Sequence, residues 1–206
     1  MKQITDIKEQ SKNKKRVSVF LDGEFYCGLD LVTALKYRLK KGEFISENEL
    51  IKIQFDAELQ ACFDRALKFI SSSLKTEKQV RDKLKSLGYL DEVIDKALEK
   101  LKSYDFIDDE DYSNKYVSTY KGVKGKRLIK LELQKKGVSE AFIDTALKET
   151  ENQKDACLKI AEKYLKNKEI TKQNLLKCYK HLLSKGFDYD DSKSAISSFD
   201  NLDNLD

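Results

Sequence analysis

The chain has 206 residues, with 40 Lys/Arg against 36 Asp/Glu, 40% hydrophobic residues and a formal charge of +4. It is long enough to bury a real core, and no apolar run approaches the ~20 residues of a membrane span. Residues 1–6 lack the apolar stretch of a signal peptide, so a cytoplasmic protein is expected.

The absence of proline permits long helices. Cys27, Cys62, Cys157 and Cys178 form no CxxC pair and His181 is the one histidine, so neither a zinc site nor a histidine-based nucleophile is expected. Reduced, packed thiols are the reading, with no metal and no cofactor.

In chain order, residues 1–57 come first. Val17-Ser18-Val19-Phe20-Leu21, then Asp22-Gly23, then Glu24-Phe25-Tyr26-Cys27-Gly28 predict a β-hairpin closed by a type I′ turn. Residues 3–9 can add a third strand. Helices are expected near residues 29–40 and from Ser46, where Ser46-Glu47-Asn48-Glu49 reads as a cap. A lone hairpin is marginal in water, so this one must pack on those helices or wait for a partner.

The rest repeats itself. Gly88, Gly137 and Gly186 are each 49 residues apart. A leucine precedes each by four (Leu84, Leu133, Leu182), and an apolar residue follows each (Tyr89, Val138, Phe187). Ala97-Leu98, Ala146-Leu147 and Ala195-Ile196 keep the same period, as do Leu67, Tyr116 and Leu165. Each copy reads as three short helices, with the glycine closing the second in a left-handed conformation.

Thr76-Glu77-Lys78-Gln79 is a capping box for the second helix of copy one. Gly125 stands at the equivalent place in copy two. Copy three diverges most, with Asp191-Ser192 where the others carry an apolar pair, as terminal repeats do. The expected divisions are 1–57, 58–107, 108–153 and 154–206. The expected fold is mostly α, with tandem three-helix repeats in an elongated curved array behind a small hairpin region.

Charge is segregated. Residues 1–41 hold ten basic and five acidic residues, residues 121–136 seven and one, and residues 187–206 one and six. Such separation suits a polyanion or an acidic protein surface as partner. The run from Asp105 to Asp111 reads as a helix N-terminus favoured by the macrodipole, since it lacks the glycine and spacing of a calcium loop. No phosphate-binding loop, nucleophile elbow or zinc-protease motif occurs, so the chain is not read as an enzyme. Tyr112, Tyr116 and Tyr120, at four-residue spacing, read as core before they read as a stacking platform for bases.

These motifs carry a resemblance. The stretch from Thr76 to Tyr89, the Phe106-Ile107-Asp108-Asp109-Glu110-Asp111-Tyr112 junction and the stretch from Lys124 to Val138 resemble, in order, the signatures of the RecX family of bacterial recombination regulators. Two departures are Gln79 where that family usually has Glu, and Ser72-Ser73 where an arginine is common. The resemblance implies a regulator that lodges in the groove of the RecA recombinase filament. It would suppress ATP hydrolysis, strand exchange and co-protease activity; the alternatives from the residues alone are a non-specific DNA-binding helical protein or a generic helical-repeat adaptor. A monomer is expected, with weak, non-specific contact to DNA and none to membranes. The partner surface is placed on Lys14, Lys15 and Arg16, on Arg81, and on Lys124, Lys126, Arg127, Lys130, Lys135 and Lys136. Because Leu128, Ile129 and Leu133 should face the core, the charges of this last group should point outward.

Overall fold

The computed structural model describes residues 1–11, 13–150 and 153–200; Asp203 and Asp206 of the acidic C-terminal stretch lie outside the described residues. The chain divides into two compact units, Met1–Ser73 with Arg81–Phe106, and Leu74–Val80 with Ile107–Asp206.

The first unit opens with β1 (Lys2–Gln10), β2 (Asn13–Leu21) and β3 (Glu24–Asp30), followed by α1 (Leu31–Lys36) and the short β4 (Phe44–Ile45). The sheet order is β3-β2-β1-β4, all neighbours antiparallel. Asp22 and Gly23 have φ of 49° and 90°, as a type I′ turn requires at both central residues. The third strand is present. β4 goes beyond the expected hairpin, pairing with Lys2 and Gln3 at the start of β1.

Alternation puts Val17, Val19 and Leu21 on one face, where they join Ile4, Leu29, Ala34, Ile45, Leu50 and Ile53 in one core. The hairpin is therefore covered by its own helices. Ser46 begins α2 (Glu47–Ile70) through a capping box with Glu49. This helix runs unbroken for 24 residues, through position 57 where the sequence suggested a division. No glycine or proline interrupts residues 47–70. Its second half buries Cys62, Phe63 and Ala66, and α4 (Asp91–Ser103) packs on it with Val93, Ile94, Ala97, Leu98 and Leu101 buried.

In the second unit α5 (Asp109–Tyr120), α6 (Lys126–Lys135) and α7 (Glu140–Leu147) share a core of Val117, Ile129, Leu133, Val138, Ile143, Ala146 and Leu147. Asp108 caps α5, accepting from the amides of Glu110 and Asp111 at 2.8 and 2.9 Å. The three tyrosines lie partly buried against this core. α8 (Lys154–Leu165), α9 (Lys172–Ser184) and α10 (Tyr189–Asp200) enclose Cys157, Ala161, Leu165, Leu175, Cys178, Leu182, Phe187 and Ala195. All four cysteines are free thiols, three of them buried.

The 49-residue period is literal in space. Gly88, Gly137 and Gly186 have φ of 88°, 84° and 88°. Each closes a Schellman motif: the amides of Tyr89, Val138 and Phe187 donate back to the carbonyls of Leu84, Leu133 and Leu182. The third copy departs in two places. Its second helix begins earlier, at Lys172 behind the cap Thr171. Ser192, fully buried, occupies the place of Ile94 and Ile143, and its hydroxyl has no hydrogen-bond partner among the described residues.

Candidate functional site

The basic residues cluster where second helices meet end to end. In the second unit the C-terminus of α6 abuts the first turn of α3 (Glu77–Ser86), and the C-terminus of α9 abuts the first turn of α6. Orphan carbonyls of one helix end are thereby satisfied by groups at the start of the next, side chains at the first junction and backbone amides at the second.

At the first junction Thr76 accepts from the Gln79 amide, while its hydroxyl donates to the Lys136 carbonyl at 2.6 Å. At the second there is no side chain to intervene. The Gly125 amide donates directly to the Lys185 carbonyl at 2.8 Å, and Arg127's amide to Gly186 at 3.3 Å. A Cβ on Gly125 would lie 2.0 Å from the Gly186 carbonyl carbon, so glycine is required by close backbone approach. The remaining amides go to side chains from the next repeat. Asp109 accepts from Glu77, and Gln153 accepts from Lys126 at 2.7 Å while donating to the carbonyls of Lys121 and Lys124.

The predicted cations, with Lys78 beside them, divide into those bound to the fold and those with no partner among the described residues. Lys78 and Arg127, one repeat apart, both reach across a junction: Lys78 donates to the Lys135 carbonyl and Arg127 to that of Leu183, at 3.3 and 2.7 Å. Lys124, expected to point outward, instead turns in. Its ammonium lies 2.7 Å from Glu132, whose carboxylate also accepts from the Tyr116 hydroxyl at 2.7 Å, and 4.0 Å from the Tyr120 ring centroid. The pair is only 21% and 28% exposed. Aromatic walls and a carboxylate gave this lysine a better site than water.

Burial raises the Glu132 pKa, but the hydrogen bonds from Lys124 and Tyr116 outweigh it and leave the group below its ordinary value. Burial, then the bond to Glu132, pushes the Tyr116 phenol well up. Lys130 bridges Glu140 and Asp144 at 2.8 and 3.0 Å, and those bonds raise its pKa. Lys136 lies 5.6 Å from the Tyr116 ring centroid. Lys126, half-buried, acts electrostatically on Asp191. Lys135 is exposed.

In the first unit Lys14 and Lys15 are exposed, Arg16 donates to the Gly28 carbonyl at 2.9 Å, and Arg81 pairs with Asp95 at 2.6 Å. Sequence reasoning missed Gln153, whose capping role spans 27 residues to Lys126, because no local motif announces a cap supplied by the next repeat. Among the described residues no group of three His, Cys, Asp or Glu side chains could hold a metal, and no helix is long and apolar enough to cross a membrane.

This architecture defines a class, a tandem three-helix protein whose repeats interlock through helix ends behind a small β-sheet. Family models match along the chain: the regulatory protein RecX N-terminal domain at residues 2–46, the first RecX three-helix domain at 62–101 and the second at 108–147. Regulatory protein RecX of Clostridium botulinum (strain Alaska E43 / Type E3) is 36% identical, covering 98% of this chain and 99% of that protein. Its counterpart from Clostridium tetani (strain Massachusetts / E88) is 38% identical, covering 94% and 93%. A crystal structure of regulatory protein RecX superposes with a TM-score of 0.72 at 27% identity, covering 94% of this chain and 98% of that one. That of RecX from Lactobacillus salivarius gives 0.61 at 31%, covering 69% and 97%. The chain belongs to the RecX family of regulatory proteins.

Proposed function

We propose that this regulator acts on the RecA recombinase filament in the cytoplasm, binding along the filament as a monomer and suppressing ATP hydrolysis, strand exchange and co-protease activity. The near full-length match to regulatory RecX proteins carries the reading. The free cations Lys14, Lys15 and Lys135 are the residues best placed to meet the filament or its DNA. The structural cations Lys124, Arg127 and Lys130 hold the surface in shape. Contact with bare DNA is weak and non-specific, set by phosphate neutralisation.

The test is single-strand-stimulated ATP hydrolysis by RecA at rising concentrations of this chain. The rate is expected to fall toward a low plateau. An unchanged rate at saturating protein overturns the proposal.

A further inference from the structure

The third repeat carries a concave site that the regulator reading does not use. It has a volume of about 440 Å³ and is lined by Val123, Ile160, Lys163, Tyr164, His181 and Lys185. The histidine ring stacks on Tyr164, centroids 4.8 Å apart at 27°. Lys168 stands 3.2 Å over the same tyrosine ring. Lys163, His181 and Lys185 thus line a pocket with apolar walls, Lys168 stands over its tyrosine, and among the described residues no carboxylate lines it. Among the described residues no acidic group pairs with Lys163, Lys168 or Lys185.

The repeat itself says what is missing. His181 stands one 49-residue period after Glu132, and Lys185 one period after Lys136. In the middle repeat the Glu132 carboxylate sits between Lys124 and the Tyr116 hydroxyl, an internal anion that satisfies the cations around it. In the third repeat that anion has been replaced by a base. Tyr116 and Lys124 are replaced as well, by Leu165 and Gln173, so the third repeat's own Lys163, Lys185 and Tyr164 line the pocket with this base, with no carboxylate there among the described residues. Burial first, then Lys185 and Lys168, holds the His181 pKa below its ordinary value, which marks the absence of an acidic neighbour.

We infer that His181, Lys163 and Lys185 form a binding site for the phosphate group of a nucleotide, with the apolar walls of Val123 and Ile160 beside its sugar or base. Three donors lining one pocket suit the several oxygens of a phosphate, and the volume of about 440 Å³ exceeds that of the phosphate alone. Tyr164 already carries His181 and Lys168 on its ring, so its part is to orient the imidazole. The inference does not depend on the recombinase reading.

The chain's only histidine makes the test site-specific. The His181 ring is followed by NMR through a pH titration, alone and with dTMP, a thymidine oligonucleotide or poly-glutamate. An anion at the site stabilises the imidazolium, so the midpoint should rise by about one pH unit or more with dTMP or the oligonucleotide. Lys163→Gln and Lys185→Gln keep the reporter and should cut that rise by more than half. His181→Glu restores the middle repeat's carboxylate and should abolish the heat of dTMP binding while the far-ultraviolet spectrum stays unchanged. A response to the oligonucleotide but not dTMP assigns the site to a strand, and equal response per phosphate assigns it to a free nucleotide; either supports the inference. No response to either ligand overturns it. So does a response to poly-glutamate alone, or a rise that both lysine variants leave intact.

Discussion

In the middle repeat, position 132 is a glutamate gripped by Lys124 and Tyr116; one period later, position 181 is a histidine beside Lys185 and Tyr164. The helices that carry them end in the same Schellman closure, at Gly137 and Gly186 one period apart. A repeat frame therefore fixes where side chains project without fixing what they do. The middle copy spends its charges on itself. The third leaves cations uncompensated in a concave site. The two copies are also joined, since Gly186 at the end of α9 rests on the first turn of α6.

The largest effect should come from breaking that joint. Gly125→Ala adds a Cβ within 2.1 Å of three backbone atoms of Gly186 and Phe187, which cannot swing aside as a side chain would. The junction must open and lose its amide–carbonyl bonds, costing about 3 kcal/mol or more. Gly88→Ala is the control. It has φ of +88° but nothing within 4 Å of the added atom. It should cost only the ~1–2 kcal/mol of a forced left-handed residue. Urea denaturation of both variants decides the order; Gly125's own φ of −74° suits any residue, so equal losses would mean that the junction yields to the added Cβ more easily than its close approach implies.

A middling effect is expected from unpairing Glu132. Lys124→Ala leaves a carboxylate that is about one-quarter exposed with the Tyr116 hydroxyl as its hydrogen-bond donor and Lys136 as a nearby charge. A fully buried pair broken this way costs ~3–5 kcal/mol, and partial solvent access should reduce that to about 1–2 kcal/mol at neutral pH. The pH dependence follows from Glu132's depressed pKa. Its contribution is present above the unfolded value of about 4.3 and is lost as pH falls through the lower folded value. Denaturation midpoints of wild type and variant should therefore converge below about pH 4. A constant gap down to pH 2 would assign the loss to packing against Tyr120 instead.

The surface test is Lys135→Glu, with Lys14→Glu and Lys15→Glu. These side chains are exposed, so stability should stay within about 0.5 kcal/mol. Inhibition of RecA ATP hydrolysis should weaken about tenfold as like charges meet across the interface. A triple variant that inhibits like wild type would move the interface elsewhere.

Much of this was legible in the sequence because it is local. Asp22-Gly23 needs only its own dihedrals to close a hairpin, Ser46 and Thr76 need only residues three positions on, and the glycine period needs only counting. What stayed hidden depends on distant partners. Gly125 could be placed at the helix start by its period with Thr76, but not explained, because its clash is with Gly186, 61 residues away. Lys124 read as solvated because its carboxylate lies eight residues on, across a turn from Tyr116. The basic patch was found by composition, but composition cannot separate a cation that meets a partner from one that closes a helix end. His181 drew no attention as a lone histidine; its meaning comes from what stands at the same place one repeat earlier.

The smallest effect should lie at Ser192, where the third copy departs from the apolar residues of its predecessors. Ile94 and Ile143 fill this position with no exposed surface. Ser192 is just as buried, yet its hydroxyl has no well-formed hydrogen bond among the described residues; burial pushes the neighbouring Cys157 thiol up to about 11 against the opposing effect of Ser192, and a thiol is a weak partner. An unsatisfied buried hydroxyl costs about 1–3 kcal/mol, whereas the methyl group of alanine needs no partner and nearly keeps the volume. Ser192→Ala should therefore leave the urea midpoint unchanged or raise it by the equivalent of up to ~1 kcal/mol. Ser→Ala at a well-bonded buried site does the opposite. A loss of 1 kcal/mol or more would show that the hydroxyl is bonded after all, to Cys157 or to a bound water, and that the third copy's divergence is structural and not merely tolerated.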